Sequence, residues 1–347
     1  MDLEGRLELI TRDALEIVTV DELKALLETR SAPTAYIGYE PSGFVHAGQM
    51  ITASKVVDMQ KAGVEVTVFM ADWHAMINDK LGADIDSIRA CGEYMHDCFL
   101  ALGVDDSAKF VYATDLISGP EYWEKFIRIC KASSLTRLKR AMTIMGRAED
   151  EADIDASKIM YPPMQVADIF HLDVDIAYAG MDQRRAHMLA RDVADKLRWK
   201  KPVALHTPLL MSLGGGARMD PVEAKMSKSS PDSAVFMHDG PEDVKRKLKN
   251  AFCPPETEGN PVLDTIRLLV LPQLGRLKVD RSAKYGGPVE FETFDDVVEA
   301  YSSKSLHPMD LKSGVADAIN TLLEPVRAYF ESHPGNLERV KSLSITR

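Results

Sequence analysis

The chain has 347 residues, 45% of them hydrophobic and 27% charged, which is typical of a globular protein with room for two domains. It has no apolar run of about 18 residues that would span a membrane, and its four cysteines lack metal-ligand spacing, which favours reduced thiols in a cytoplasm. The formal net charge of −11 argues against a nucleic-acid partner. Residues 125–147 and 184–191 nevertheless form two locally basic segments, which are compatible either with a tRNA ligand or with solvated helix faces.

The first strongly patterned segment covers residues 35–63 and predicts a strand, a turn and a helix. An apolar strand over 35–39 is followed by a Pro-Ser-Gly turn and by a helix after Gly48. This order points backbone N–H groups and the positive end of a helix dipole at a ligand above the turn, which suits phosphate. His46 and Gln49 lie at the junction, within reach of the same anion. A buried strand followed by a helix is also common in α/β proteins with no such site.

Further strands and helices alternate along the first two thirds of the chain. Buried strands are predicted at residues 64–70, 109–114, 174–180 and 203–210, whereas residues 1–30 predict helices only. The alternation indicates an α/β fold, a Rossmann-like, doubly wound parallel sheet. We expect this domain to cover residues 1–235, with a helical insertion at about 120–157 and a loop at 214–231. Residues 236–347 predict a smaller, mainly helical domain with one edge strand at 289–291.

In an open parallel sheet, ligands bind beyond the carboxyl ends of the strands. His74 follows one strand, and the polar residues Gln183, Arg184 and His187 follow another. A lone histidine is more often a packed residue than a ligand, so both interpretations of His74 stay open.

One predicted helix carries three polar residues on a single face. Tyr161, Gln165 and Asp168 occupy positions i, i+4 and i+7 in a helix that begins near a Pro-Pro pair. Asp168 lies among apolar residues, and a carboxylate in such surroundings is costly to bury unless something pairs with it. The alternative is a polar helix face on which Asp168 meets water.

A second anion-binding candidate lies in the loop at 214–231. Three glycines precede Lys225, Met226, Ser227, Lys228 and Ser229. Lysine is a point charge for phosphate, serine donates hydrogen bonds and glycine supplies hinges, which suits a mobile polyphosphate clamp. The spacing is not that of a Walker A loop. By composition alone, an ordinary flexible surface loop is the alternative.

The two candidates together resemble the signatures of class I aminoacyl-tRNA synthetases. The sequence His46-Ala47-Gly48-Gln49 resembles the HIGH motif, with Gln49 in place of the second histidine, and KMSKS occurs without a mismatch further along. Nearly the whole chain is similar to tyrosyl-tRNA synthetases of the archaeal and eukaryotic type. The segments that carry this resemblance are YIGYEPSG, ADWHA, YPPMQVADI, GMDQRRAHMLARD, KMSKSS, AFCPP, EGNP, KYGG and HPMDLK.

The resemblance implies a tyrosine–tRNA ligase that uses ATP to form tyrosyl-adenylate and pyrophosphate, and then transfers tyrosine to the 3′ end of tRNA(Tyr). Mg²⁺ is expected with the pyrophosphate, with few or no protein ligands and no resident metal site. A phenolic hydroxyl both donates and accepts hydrogen bonds, which suits an acid and a second polar group. The family's matching positions assign these roles to Tyr36 and Asp168. The family also has a homodimer interface in the basic insertion.

The remaining residue roles are also implied by the resemblance. The tyrosine α-amino end is assigned to Tyr161, Gln165 and Gln183. The catalytic phosphate contacts are assigned to His46, Gln49, Lys225, Lys228 and Ser229. ATP binding is assigned to Gly38, His46, Gly48, Lys225, Met226 and Lys228. Contact with tRNA is assigned to Arg184 at the first acceptor-stem base pair and to Tyr285, His307 and Asp310 at the anticodon. From the residues alone, Tyr285 is a loop aromatic and Asp310 a helix cap.

Three alternatives stay open. A tryptophanyl-type synthetase has the same fold, but the indole N–H of tryptophan only donates and needs a larger pocket. A non-catalytic tRNA-binding paralogue is compatible with the substitution at Gln49. Another nucleotidyl transferase on the same fold would have no need of the C-terminal helical domain.

Overall fold

A computed structural model of the chain describes residues 1–146, 155–215, 226 and 231–343. The described residues form two compact units. The first unit draws on Met1–Gly43, Lys55–Pro208 and Glu338–Arg347, and the second on Phe44–Ser54 and Leu209–Leu337. These units divide the chain differently from the predicted functional division at residue 235, which stays a prediction.

A six-stranded sheet organises the first unit. Its strands are β1 (Glu16–Val18), β2 (Thr34–Tyr39), β3 (Glu65–Met70), β4 (Lys109–Tyr112), β5 (Ile176–Gly180) and β6 (Val203–Thr207). Their order is β1-β6-β5-β2-β3-β4, and every pairing is parallel except that of β1 with β6. The order reverses between β2 and β5, which is where open α/β sheets bind ligands. The predicted α/β fold is confirmed, but the prediction of helices alone over residues 1–30 is wrong, because it missed β1.

Helices flank these strands. They are α1 (Leu3–Thr11), α2 (Val20–Thr29), α3 (Gly48–Lys61), α4 (Asp72–Ile77), α5 (Ile85–Ala101), α6 (Ala113–Ile117), α7 (Pro120–Ala132), α8 (Leu135–Ala141), α9 (Tyr161–His171) and α10 (Arg184–Leu197). Local chemistry sets several of their starts. Thr19 and Glu22 form a capping box at α2, and Asp84 accepts a hydrogen bond from Ser87 N at α5. Proline lies in the first turn of α7 and α9, where the missing N–H costs little.

Helices dominate the second unit, as the sequence predicts. They are α11 (Pro241–Asn250), α12 (Pro261–Thr265), α13 (Leu271–Leu274), α14 (Phe294–Ser302) and α15 (Pro308–Ser332), and α16 (Gly335–Ser342) follows them. The predicted edge strand is confirmed as β8 (Val289–Phe291), which pairs antiparallel with a strand that the sequence did not reveal, β7 (Leu277–Val279). Gly314 lets α15 approach β7 closely, since an added Cβ would lie 2.7 Å from Lys278 O. Among the described helices, none combines the length and apolar character that a membrane span requires.

Candidate active site

A buried acid and two phenols meet in the first unit. Tyr36 on β2 and Asp168 on α9 are each 1% exposed, so the alternative of a solvated Asp168 is wrong. The hydroxyl of Tyr122 on α7 donates to Asp168 Oδ1 at 2.8 Å. Burial and the charge of Asp168 raise the pKa of Tyr36 well above its usual range, and hydrogen bonding from Gln165 offsets this only in part. Tyr36 is therefore a protonated hydroxyl at neutral pH.

His74 completes the environment of the acid. Its Nε2 lies 3.1 Å from Asp168 Oδ2, and both side chains are at most 2% exposed. The distance is that of a hydrogen bond but the alignment is not, so neither atom has a hydrogen-bond partner among the described residues. Burial alone would lower the pKa of His74, but the carboxylate of Asp168 outweighs this and raises it. The carboxylate of Asp168 thus favours the protonated form of His74.

The opposite end of α9 contributes a second polar cluster. The Tyr161 hydroxyl donates to Glu40 Oε1 at 2.7 Å, and Asn78 Nδ2 donates to both Glu40 oxygens at 3.0 and 3.1 Å. Burial and the adjacent Glu40 raise the pKa of Tyr161 well above its usual range. Because its proton is directed at Glu40, the Tyr161 oxygen keeps lone pairs that can accept from a ligand. The oriented Tyr161 oxygen can thus accept from an ammonium group, whereas Glu40 is bonded to Tyr161 and Asn78 and also lies 3.7 Å from Lys80 Nζ.

Gln165 and Gln183 lie beside each other, and their predicted contact with the α-amino group of tyrosine stays a prediction. Gln165 Nε2 donates to Gln183 Oε1 at 3.3 Å, and Gln183 Nε2 donates to the carbonyl of Ile144 at 3.1 Å. Gln165 Oε1 is buried and has no hydrogen-bond partner within the described ranges. Native proteins rarely leave buried polar atoms unsatisfied. A ligand with a hydroxyl donor at one end and an ammonium at the other would satisfy the orphaned oxygens of Asp168 and Gln165.

The turn that holds the HIGH-like motif lies in the second unit. Gly48 N donates to His46 Nδ1 at 3.1 Å, and His46 N donates to Gln49 Oε1 at 2.8 Å. Ala47 N donates to Val235 O, while the N–H groups of Gln49 and Met50 donate to carbonyls of the turn itself. Five successive N–H groups therefore have partners inside the protein. The expectation that backbone N–H groups face a phosphate is therefore wrong for residues 46–50, whereas for the Pro41-Ser42-Gly43 turn it stays a prediction.

Gly48 and Met226 both lie near Leu210. A Cβ on Gly48 would lie 2.9 Å from His46 Cε1 and 3.8 Å from Leu210 Cβ, so a larger residue there would displace the histidine ring. Met226 N donates to Leu210 O at 2.8 Å, so this residue of the KMSKS motif also lies next to Leu210. The predicted phosphate contacts Lys225, Lys228 and Ser229 lie outside the described residues.

Gly38 lies on β2, in the first unit. A Cβ at this position would be 3.6 Å from both Phe69 Cδ1 and Tyr36 Cε2, an ordinary contact distance. Steric crowding therefore does not require glycine there, and the predicted ATP contact at Gly38 stays a prediction.

Arg184 and His187 lie at opposite ends of one polar chain. Arg184 forms two hydrogen bonds with Glu16, at 2.7 and 2.9 Å, and its side chain is 44% exposed. Glu16 also lies 3.1 Å from His206 Nδ1, and His206 Nε2 lies 3.0 Å from His187 Nδ1. Burial and its histidine neighbour lower the pKa of His187 well below its usual range. His187 is thus a buried, neutral residue, whereas Arg184 is partly exposed and paired with Glu16, and its predicted contact with tRNA stays a prediction.

The predicted anticodon residues lie in the second unit, where Tyr285 ends a short 3-10 helix, His307 precedes α15 and Asp310 lies in its first turn. Arg281 donates to Gly287 O at 2.8 Å, beside the loop of Tyr285, and to Ser305 O at 2.7 Å, shortly before His307. Tyr285 is 61% exposed, as a stacking residue must be. His307 Nδ1 accepts from Met309 N at 3.1 Å and so caps α15. The interpretation of Asp310 as the helix cap is wrong, because His307 fills that role.

Tyr122, Glu40 and Asn78 were not identified from the sequence, and His74 was only placed near a site. Each of them contacts a partner that is distant in the chain. Tyr122 and Asp168, for example, are 46 positions apart. The one available signal was their position after a strand or on the buried face of a helix. No cluster of three or more His, Cys, Asp or Glu able to hold a metal occurs in the described part of the chain.

Comparisons with known proteins agree with this architecture. The family described as tRNA synthetases class I (W and Y) matches residues 28–324. A tyrosine–tRNA ligase of Saccharolobus islandicus is 47% identical over 356 residues, covering 99% of each chain. The crystal structure of tyrosyl-tRNA synthetase from Aeropyrum pernix has a TM-score of 0.89, 44% identity and 99% coverage of both chains. That of tyrosyl-tRNA synthetase complexed with L-tyrosine from Pyrococcus horikoshii has a TM-score of 0.92 and 41% identity, covering 99% of this chain and 100% of that one. The chain therefore belongs to the tyrosyl-tRNA synthetase family of class I tRNA synthetases.

Proposed function

We propose that this chain is a tyrosine–tRNA ligase, acting on tyrosine, ATP and tRNA(Tyr) in the cytoplasm. The observation that carries the proposal is the buried Asp168, whose Oδ1 is taken by Tyr122 while its Oδ2 has no hydrogen-bond partner among the described residues. A bound phenol that donates to this oxygen and accepts from the Tyr36 hydroxyl would pair both groups. Phenylalanine would leave them unpaired, and tryptophan offers only a donor.

The other end of the pocket suits the substrate's ammonium group. Tyr161 can accept from it because its own proton goes to Glu40, and Gln165 offers the amide oxygen Oε1. Gln183 holds Gln165 in place and is anchored on Ile144 O. The substrate carboxylate is then free to react, because the groups that hold the amino acid bind its two other polar ends. We assign Tyr161, Gln165 and Gln183 to this α-amino subsite.

Adenylate formation needs no covalent enzyme intermediate. An oxygen of the tyrosine carboxylate attacks the α-phosphorus of ATP, the bond from that phosphorus to the bridging oxygen breaks, and pyrophosphate leaves. We assign charge stabilisation on the phosphates to His46, Lys225, Lys228 and Ser229, and ATP binding also to Gly38, Gly48 and Met226. The terminal ribose hydroxyl of tRNA then attacks the carbonyl carbon of the adenylate, and AMP leaves. Mg²⁺ would arrive with the nucleotide, which supplies most of its oxygen ligands.

For tRNA, we assign Arg184 to the acceptor stem and Tyr285, His307 and Asp310 to the anticodon. Arg184 and Tyr285 are exposed, and Asp310 lies in the first turn of α15, directly after the capping His307. Stacking on an aromatic ring and acceptance from a base amino group by a carboxylate are the chemistries that these side chains supply. We also propose a homodimer, for which two exposed apolar residues on α7 and α8 provide the support described below.

The decisive experiment is ATP–pyrophosphate exchange with tyrosine, tryptophan or phenylalanine as the only amino acid. We expect exchange with tyrosine alone, followed by transfer of tyrosine to tRNA(Tyr). Exchange that is as fast with tryptophan would overturn the assignment in favour of a tryptophanyl enzyme. A chain that binds tRNA but exchanges with none of the three would be the non-catalytic paralogue.

A further inference from the structure

Gln49 replaces the second histidine of the HIGH motif, and its side chain forms a hydrogen bond within the same turn. Gln49 Oε1 accepts a hydrogen bond from His46 N at 2.8 Å. Only the oxygen of an amide can accept from an N–H, so this bond fixes which end of the amide faces the turn. Gln49 N in turn donates to His46 O at 2.9 Å. The two residues are therefore joined by a reciprocal pair of hydrogen bonds.

The same turn determines which nitrogen of His46 carries the proton. Gly48 N donates to His46 Nδ1 at 3.1 Å, so this nitrogen must be an unprotonated acceptor. The proton of the neutral ring then lies on Nε2, which is the donor that a phosphate oxygen would need. The bond requires the His46 ring to lie over Gly48, where an added Cβ would be within 3.0 Å of the ring.

The rest of the turn leaves few other donors for an anion. The N–H groups of Ala47, Gln49 and Met50 all donate to protein carbonyls. His46 also forms an isolated antiparallel β-bridge with Phe236, which restrains the backbone of His46. A misoriented His46 ring would therefore weaken hydrogen bonding to the anion, because the backbone amides of this turn cannot replace the ring as donors.

We propose that Gln49 is a positioning residue, which holds the backbone of His46 so that Gly48 N–H fixes the imidazole as an Nε2 donor, and that it is not itself a phosphate ligand. This inference rests on the proposed function, in which His46 contacts the ATP phosphates. A residue that only positions His46 needs no charge. A glutamine therefore serves this position, although it cannot supply the positive charge of a second histidine.

Two variants of similar size distinguish a positioning role of Gln49 from a phosphate-binding role. The two roles predict opposite orders of kcat for these variants. Gln49→Glu keeps the oxygen that accepts from His46 N but replaces the amide donor with a charge that repels phosphate. Gln49→Leu removes the acceptor without adding charge. If Gln49 positions His46, Gln49→Leu lowers kcat of tyrosine-dependent exchange by about 10- to 100-fold, and Gln49→Glu lowers it by less than about fivefold. If Gln49 binds phosphate, Gln49→Glu is the more damaged variant, which would overturn the proposal.

A double-mutant cycle supplies a second criterion. A residue that acts only through His46 has little further effect once His46→Ala is present, so adding Gln49→Leu should change kcat by less than about twofold. Independent, additive losses would contradict the proposal. Tyrosine affinity measured by calorimetry should stay the same in Gln49→Leu, which separates lost positioning from general misfolding.

The tautomer is also measurable without catalysis. In ¹⁵N-labelled protein, long-range imidazole correlations should show His46 as the Nε2–H form, and Gln49→Leu should give a mixture of tautomers. An unchanged tautomer in Gln49→Leu would overturn the proposal. If the wild-type chain shows no tyrosine-dependent exchange, the proposed function fails, while this spectrum still decides whether Gln49 positions the ring.

Discussion

In the proposed function, amino-acid selection depends on Asp168. Its carboxylate receives a hydrogen bond from Tyr122 on one oxygen and faces His74 with the other. Taking an ionised group out of water is expensive, so these neighbours are needed to keep the carboxylate buried and correctly oriented. A hydroxyl-bearing substrate then gains a charge-assisted hydrogen bond that an unsubstituted ring cannot form.

Replacing Asp168 by alanine tests this role directly. We expect Asp168→Ala to lower the ratio of kcat/KM for tyrosine over phenylalanine by roughly 10- to 100-fold, the value of one hydrogen bond to a charged group. Tyr122→Phe is the matched control, because it removes one bond to Asp168 but keeps the acid, and it should lower the ratio less. Exchange kinetics with both amino acids measure the ratio. A folded Asp168→Ala variant with unchanged selectivity would refute the assignment.

His74 makes folding stability depend on pH. Since Asp168 raises the pKa of folded His74 above the 6.5 of the unfolded chain, the stabilisation is complete below that pH and is lost as pH rises through the folded pKa. We expect the difference in unfolding free energy between the wild type and His74→Phe to narrow as the pH is raised from about 6 to about 9. Urea titrations at several pH values measure it. A difference that widens over this range would show that the ion pair is absent.

At the scale of elements, Asp72 connects the ends of two neighbouring strands. It lies at the start of α4, directly after β3, and is fully buried. Its carboxylate accepts from Thr114 N at 3.1 Å, from Thr114 Oγ1 at 2.6 Å and from Arg89 Nε at 3.2 Å. Thr114 follows β4, so one side chain joins the carboxyl ends of β3 and β4, close to where α4 presents His74.

We expect Asp72→Ala to lower the free energy of unfolding by about 3 kcal/mol, because several buried donors lose their acceptor together. Denaturant titration provides the value. Asp86→Ala is the control, since Asp86 is an exposed carboxylate in the first turn of α5 and its loss should cost less than about 1 kcal/mol. Equal losses in the two variants would mean that Asp72 does not connect the strands.

The sequence predicts elements well where a periodic pattern exists. The strands β2 and β3 are continuous apolar runs, and the i, i+4, i+7 spacing placed Tyr161, Gln165 and Asp168 on one face. By contrast, β1 has three residues and no pattern of its own, because its pairing with β6 determines it.

The side-chain contacts of the site were less predictable. Glu40 meets Tyr161 across 121 residues, a contact that only the folded sheet creates. The antiparallel contact of His46 with Phe236 is likewise absent from any local pattern. Residue type and spacing thus led to proposed ligand contacts, but they did not reveal the neighbouring side chains to which those residues are hydrogen-bonded.

At the scale of the whole molecule, the basic insertion carries exposed apolar side chains. Ile127 on α7 is 54% exposed and Leu135 on α8 is 61% exposed. Exposed large apolar side chains are candidates for burial in a protein contact. This agrees with the proposal that residues 125–147 form part of a homodimer interface.

We expect the double variant Ile127→Glu, Leu135→Lys to shift the protein from dimer to monomer in sedimentation velocity, because charge is buried at the contact. Leu15→Glu, a change at a 58% exposed leucine outside the insertion, is the control and should leave the dimer intact. If the wild-type protein sediments as a monomer at micromolar concentration, the homodimer proposal is wrong.

The contact between residues 45–47 and 235–237 determines where the chain can be divided for separate expression. Ala47 N donates to Val235 O at 2.8 Å and Met237 N donates to Val45 O at 3.0 Å, on either side of the His46–Phe236 bridge. A gene fragment that stops at residue 235 would lack Phe236 and Met237. It would therefore lose the bridge to His46 and the hydrogen bond to Val45 O. An N-terminal fragment intended to retain adenylation therefore has to extend through Met237 at the least.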